Sequence, residues 1–313
     1  MMRVRGTRSG FALLAVLWVI VGLAALGVAT SLAARNAIVA AANRVAIARA
    51  TWRAADCLER SRAAIADALH ASPERDARGL SGWSALDASV PAAPIVSGAR
   101  CDVRLRAVGA RIDINSADAE MIGAVLRGAG VPDARRDSMV DALLDWRDAD
   151  DEPRPRGAER RWYAQHSRFA PRNGPFADVR EIGRVRGFEA LKGLDSVFSV
   201  EPGRVSLAHA PLAVLAALPG MNEEALSRIA EQRARGVATG DLTELMARLS
   251  PAARQEILGR YSDLVHVATS EPDAWILDAR ATAGSPAITV DIEVRLVRAG
   301  DRAAIVRPRM WIA

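Results

Sequence analysis

The sequence predicts an α+β protein: a long N-terminal helix, apolar enough at its start to lie in a membrane, packs on an antiparallel sheet that carries a large helical insertion. Three observations carry this expectation. No charge occurs between Arg8 and Arg35, and the run Phe11 to Ala34 is apolar. Neither proline nor glycine occurs from Arg35 to His70, so the helix continues past the apolar run. Strand-like alternation appears near Cys101 and returns only beyond Leu264, leaving roughly 150 mostly helical residues between.

The first element is an anchor. Arg3, Arg5, Arg8 and then Ser9-Gly10 precede the apolar run, which exceeds the roughly 20 residues needed to cross a bilayer core. The basic flank is expected to stay in the cytoplasm and the rest of the chain to face the other side. A secretory signal has a shorter apolar region, about 7–15 residues, with its small-residue cleavage site behind it. Here the small residue, Gly10, stands in front. Phe11 to His70 as one helix would be about 90 Å long at 1.5 Å per residue. Beyond the membrane, Ile38, Ala41, Val45, Ala48, Trp52 and Ala55 recur at steps of three and four, and this stripe is expected to pack on the globular part. A coiled-coil stalk is the alternative.

A basic leader ending in Gly, then Phe and an uninterrupted apolar helix, resembles a type IV prepilin or type II secretion pseudopilin; an ordinary signal anchor is the plain alternative. The resemblance implies cleavage by a prepilin peptidase between Gly10 and Phe11, with methylation of the new amino terminus on Phe11. Most members of that family carry Glu at the fifth mature position, where this chain has Ala15. A carboxylate in hydrocarbon is costly unless paired, and in pilins its partner is the amino terminus of a neighbouring subunit. A first subunit has no neighbour ahead of it. The non-acidic Ala15 therefore resembles the K-type minor pseudopilin found at the tip.

Composition fits an exported, anchored chain. Acids and arginines are interspersed, so a net charge of +5 does not by itself point to nucleic acid. The two cysteines, Cys57 and Cys101, suggest one disulfide, worth about 3–4 kcal/mol in the chain-entropy model; two buried thiols are the alternative.

Pro73 to Arg100 reads as a loop and Cys101–Ile114 as a strand. Further strands are expected at Leu264–Thr269, Trp275–Ala281, Ile288–Val297 and Ala303–Ile312. The expected organisation is leader 1–10, membrane helix 11–34, first part of the sheet domain 35–112, inserted helical domain 113–262 and closing strands 263–313. A pilin-like fold with a large inserted helical domain is what the K-type resemblance implies. The insert holds a weak repeat: Arg111-Ile-Asp-Ile-Asn-Ser-Ala against Arg204-Val-Ser-Leu-Ala-His-Ala. The second copy runs into Leu218-Pro-Gly-Met221 and then an apolar helix ending near Arg233, which looks like a helix-hairpin-helix unit. Such units elsewhere hold DNA phosphates on hairpin amides, but Glu223 and Glu224 beside Gly220 would repel phosphate. Packing is the expected use.

The sharpest chemical motif follows Asp145. Asp145, Asp148, Asp150, Asp151 and Glu152 place five carboxylates in eight residues, and Pro153, Pro155, Gly157 and Glu159 close the loop. Asp148, Asp150, Glu152 and Glu159 occupy positions 1, 3, 5 and 12 of a calcium loop, although Pro153 replaces the turn glycine of an EF-hand. Oxygen ligands without nearby His or Cys favour calcium over zinc. A solvated network with Arg147, Arg154, Arg156 and Arg160 is the alternative. K-type pseudopilins carry an acidic, proline-containing loop of this pattern, DWxDxDxxPRxxGAE, associated with calcium. The resemblance thus implies one or two ions, with Asp145, Asp151 and Asn173 as candidates for the second.

Downstream, Arg160, Arg161, Trp162, Tyr163, His166, Arg168, Phe169 and Arg172 mix arginines with aromatics. They read as a cover for the acidic loop or as a stacking surface for single strands. Catalysis finds no motif: His70, His166, His209 and His266 are scattered, and no nucleophile elbow, zinc helix or phosphate loop occurs. The resemblance implies a non-enzymatic tip subunit of a secretion pseudopilus, initiating assembly and supporting export of folded proteins across the outer membrane. It further implies an inner-membrane anchor, a periplasmic body and, as partners, the type I, J and H minor pseudopilins, the major pseudopilin and the prepilin peptidase. The competing reading is a membrane-anchored DNA-binding protein of the DNA-uptake type; on the K-type reading no nucleic acid is expected.

Overall fold

The computed structural model describes residues 9–71, 76, 79–90, 95–96, 99–239, 241–300 and 302–312. A single anchor helix, Ser9–Ala71, dominates the N-terminal part. Leader residues 1–8 and parts of the expected loop before Arg100 lie outside the described residues. Gly10 and Phe11 fall within the first turns of the helix. The apolar segment from Ala12 is long and apolar enough to cross a membrane, and its Leu, Val and Ile side chains are covered by nothing in the chain.

Strands Asp102–Ala107, Ala274–Ala283, Ile288–Ala299 and Arg302–Ile312 form an antiparallel sheet. Its order runs from the last strand inward through Ile288–Ala299 and Ala274–Ala283 to Asp102–Ala107 at the far edge. Period-two alternation turns Trp275, Leu277, Ala279, Ala281, Val290 and Val294 toward the anchor helix. The opposite face is charged, with Arg106 bonded to both Asp278 and Glu293 at 3.1 Å and Arg280 to Asp291.

The helix meets the sheet through Ala50, Ala54, Cys57, Leu58 and Ile65. This corrects the expected stripe. Ile38, Val45 and Trp52 are 69%, 49% and 77% exposed, so that stripe faces away from the sheet. The covered face is the one that carries Ala50, Ala54 and Cys57 together with Leu58 and Ile65. Cys57 on the helix is bridged to Cys101 beside the first strand, with their Cα atoms 6.5 Å apart.

Two strand expectations also change. The expected strand over Cys101–Ile114 breaks after Ala107, because Gly109 turns with φ +88° and a Cβ there would run into the Arg204 carbonyl. Leu264–Thr269 is mostly the helix Tyr261–Val267, with Leu264 buried, and only Ala268–Thr269 is extended. Three apolar residues in four suit either period, and Asp263 in the first turn favours the helix.

Between Val108 and Asp273 lies the helical insert, with its own core around Ile122, Leu143, Trp146, Ile182, Phe198, Leu215 and Ile229. It is tied to the sheet at one corner. The Val108 amide donates to Ala274 O at 2.9 Å, and Arg204 clasps Asp273 through its amide and guanidinium. His209 stacks edge-on against Trp275 at 5.1 Å, with Nε2 2.9 Å from the Ser84 carbonyl.

The weak sequence repeat is a real structural repeat. Each copy opens with a two-residue parallel bridge, Ile112–Asp113 to Phe198–Ser199 and Val205–Ser206 to Ala268–Thr269. Each then turns in the same way. The Asp113 carbonyl accepts from the Ser116 and Ala117 amides, and the Ser206 carbonyl from the His209 and Ala210 amides. Two helices follow in each copy: Ala119–Gly128 and Asp133–Arg147, then Leu212–Leu215 and Glu223–Ala234. The second helix of each ends in an arginine that reaches back to the turn. Arg147 donates to the Ile114 and Ala117 carbonyls; Arg233 donates to those of Leu207 (3.0 Å) and Ala210 (2.7 Å). Burial lowers the pKa of both arginines.

Candidate metal centre

The acidic loop begins where the first copy's second helix stops. That helix carries Trp146 into the core, against Tyr163 and Phe176, which fixes Arg147 toward the turn and Asp145 toward the loop. The helix cap, Asp148, leaves in an extended conformation.

Asp145 is the loop's internal post. It is fully buried and accepts the Arg154 amide at 3.3 Å, the Arg154 Nη1 at 2.8 Å and the Ala158 amide at 2.8 Å. The loop closes so tightly on this carboxylate that a Cβ on Gly157 would collide with it. Arg154 Nη1 also reaches Asp148 Oδ2, holding that side chain by one oxygen. Both carboxylates raise the pKa of Arg154.

The loop brings Asp148, Asp150 and Glu159 together. One carboxylate oxygen from each lies within 4.8 Å of the others. Ligands across a calcium ion bonded at 2.3–2.6 Å stand at most about 5 Å apart, so one ion could reach all three. Glu159 is 3% exposed, yet neither of its oxygens has a hydrogen-bond partner among the described residues. Asp148 Oδ1 is buried and equally unpartnered. An unpaired buried carboxylate costs several kcal/mol or takes up a proton. Accordingly the Glu159 carboxyl is pushed up to about 7, first by burial and then by the charges of Asp145, Asp148 and Asp151, the Arg160 amide pulling weakly the other way.

Of the other sequence candidates, Glu152 points to solvent and contributes its amide, which donates to Asp150 Oδ1 at 2.9 Å. Positions 1, 3 and 12 of the expected spacing therefore converge and position 5 does not. Asp151 is exposed and accepts from Asn173 Nδ2 at 2.8 Å. Asn173, in the left-handed region with φ +49°, also donates to the Asp150 carbonyl, and its own Oδ1 is buried without a partner. The arginine network that the sequence offers as the alternative is present in part, with Arg154 paired to Asp145 and Asp148. Sequence reading missed the close approach of Gly157 to Asp145, for which the signal was a glycine between the prolines and Glu159.

The remaining features take their places around this loop. Tyr163 is buried beside it, its hydroxyl accepting the Arg186 amide at 3.0 Å and its pKa pushed up to about 12 by burial. The second copy's Pro-Gly hairpin packs on protein: a Cβ on Gly220 would press on Arg260 and the Glu256 carbonyl at 3.0–3.3 Å. Glu224 beside it is bound by the Ser250 amide and hydroxyl. The hairpin thus packs on the next helix, and its Met221 amide is taken by the Leu218 carbonyl at 3.2 Å.

Comparison with known proteins meets this geometry in the same segment. Residues 104–192 match the family model described as type II secretion system, protein K. The match spans 89 of the 313 residues, a likeness of that segment to the type II secretion protein K family. The segment contains most of the strand Asp102–Ala107, the first copy's turn and two helices, and every candidate ligand of the acidic loop. A chain in the crystal structure of the GspK-GspI-GspJ complex from the enterotoxigenic Escherichia coli type 2 secretion system has the same fold. Its TM-score is 0.61 at 16% identity, covering 85% of this chain and 96% of that one. No curated protein sequence matches the chain. The N-terminal helix is long and apolar enough to cross a membrane once.

Proposed function

We propose that this chain caps the tip of a type II secretion pseudopilus as its K-type subunit, initiating assembly and supporting export of folded proteins, and that its acidic loop holds calcium. The supporting observation is one of coincidence: the segment that resembles the protein K family carries the loop in which Asp148, Asp150 and the orphaned Glu159 converge. Asp148, Asp150 and Glu159 hold the ion, with Asp145 and Arg154 keeping the loop closed beneath them. Calcium supplies a divalent charge that offsets the mutual repulsion of these carboxylates. Asn173, tied to Asp150 and Asp151, joins the segment 160–173 to the loop, so the ion stiffens that segment as well.

The anchor helix holds the chain in the inner membrane with its leader cytoplasmic and its body periplasmic. Prepilin peptidase cuts between Gly10 and Phe11, and Ala15 leaves the mature helix without a carboxylate to pair with a subunit ahead. The large insert makes the subunit too broad for the interior of a fibre. Its partners are the type I and J minor pseudopilins, with the H type and the major pseudopilin below, and it carries no catalytic activity. Mixing the chain with the I- and J-type pseudopilins of its own system should give a ternary complex on gel filtration. Separate elution of the three under native conditions would remove the tip role.

A further inference from the structure

The acidic loop and the hairpins leave unexplained one surface, the basic and aromatic segment over 160–186. It carries seven arginines and two carboxylates, an excess as large as the net +5 of the whole chain. Half of it is anchored. Trp162 stacks with His166 at 4.0 Å, and the Arg186 guanidinium lies 4.9 Å from its ring centre while donating to the Gly157 carbonyl at 3.1 Å. The other half is open. Phe169 is 80% exposed, the most exposed large apolar side chain among the described residues, and Arg184 lies 5.8 Å from its ring centre. Arg184 makes no ion pair with a described carboxylate, unlike Arg168, which is bonded to Glu189, and Arg172, which is bonded to Glu181.

We infer that Phe169, with Arg184 and Arg168 beside it, is a docking point for an acidic segment of another protein, one that sets an apolar side chain among carboxylates. A ring beneath a guanidinium offers the aromatic and arginine pair that dominates protein interfaces, and Arg161, Arg184 and Arg186, which make no ion pair with a described carboxylate, favour an acidic partner. Nucleic acid fits less well. Successive bases need a row of open rings. Here Trp162 is already covered by His166 and Arg186, and Tyr163 and Phe176 are buried, which leaves Phe169 alone.

The surface is independent of the tip role and of the ion, so its test can fail without either. The full chain in detergent is titrated with a labelled peptide in which glutamates flank a phenylalanine, with the same peptide carrying glutamines instead, and with oligothymidylate at equal salt. The glutamate peptide should bind at least tenfold more tightly than the other two probes. Phe169→Ala should weaken it about tenfold and Arg184→Gln several-fold, with the urea midpoint of each variant unchanged because both side chains lie on the surface. Equal binding of the glutamine peptide, tighter binding of oligothymidylate, indifference to Phe169→Ala, or no peptide binding at all would each overturn the inference.

Discussion

The two copies of the repeat share a parallel bridge, a turn, two helices and a returning arginine, but they end differently. After Arg233 the helix closes on Gly236, φ +74°, with the Val237 amide returning to the Gln232 carbonyl and the Gly236 amide to that of Arg233. This is an ordinary glycine stop. After Arg147 there is no glycine, and Asp148 starts the loop that gathers three carboxylates. The difference teaches that the hairpin unit is shared scaffold and that the calcium role we propose falls to the segment following the arginine. The turn itself differs in one telling residue: Asp113 in the first copy stands where Ser206 stands in the second. Burial raises the Asp113 pKa, while the serine does not titrate.

The largest test of that division compares the arginines. Arg147→Met and Arg233→Met each strand two or more buried carbonyls, and each is expected to cost about 3 kcal/mol in urea unfolding. Only Arg147→Met should also abolish the calcium response, because only its turn supports the acidic loop. Loss of calcium response in both variants would erase the distinction. Removing the disulfide with Cys57→Ser and Cys101→Ser is expected to cost about 3–4 kcal/mol while leaving that response intact, since the bridge ties the anchor helix to the sheet.

Glycine substitutions sharpen the comparison further. Gly157→Ala forces a methyl into the Asp145 carboxylate and should cost about 2–3 kcal/mol together with calcium affinity. Gly236→Ala meets open space and suffers only its left-handed conformation, about 1 kcal/mol, with no effect on calcium. Equal losses would show that the loop is not closed on Asp145.

The smallest effect is in pH. The Glu159 carboxyl titrates near 7 in the folded chain and near its ordinary 4.5 when unfolded. Between these values the folded state holds a proton that the unfolded state has released. Ion-free stability therefore falls as pH rises from about 4.5 to 7 and is lost no further above that. Asp113 acts in the same direction. In chelator the urea midpoint should fall across this window. Glu159→Gln should flatten the fall, and calcium should reverse it. A midpoint that rises with pH in chelator would contradict the assignment.

Much of this was legible in the sequence, for physical reasons. The closing strands announced themselves because one sheet face is charged: Asp291, Glu293 and Arg295 mark it against Ile292, Val294 and Leu296. The acidic loop was legible because carboxylates at that density need a purpose, and Asp148, Asp150 and Glu159 do converge. The anchor-helix face was misread. Ile38, Val45 and Trp52 gave the stronger periodic signal, but periodicity does not distinguish a face packed within the chain from one left for a neighbour. Leu264 to Val267 was misread because a short apolar run suits helix and strand alike. Glu152, followed by Pro153 where a calcium loop has its turn glycine, stands exposed outside the group formed by Asp148, Asp150 and Glu159. The two returning arginines could not be read at all, since nothing local in Arg147 or Arg233 says that a turn more than twenty residues earlier receives it.

The most direct measurement is thermal unfolding of the full chain in detergent, with calcium and with chelator, beside Asp148→Asn/Asp150→Asn. Calcium at a hundredfold excess over its dissociation constant adds about 2.7 kcal/mol, a rise of several degrees for a chain of this size. The account predicts that rise in the native chain and none in the variant. An unchanged midpoint in the native chain, or an equal rise in the variant, would contradict it and reduce the loop to a network of salt bridges.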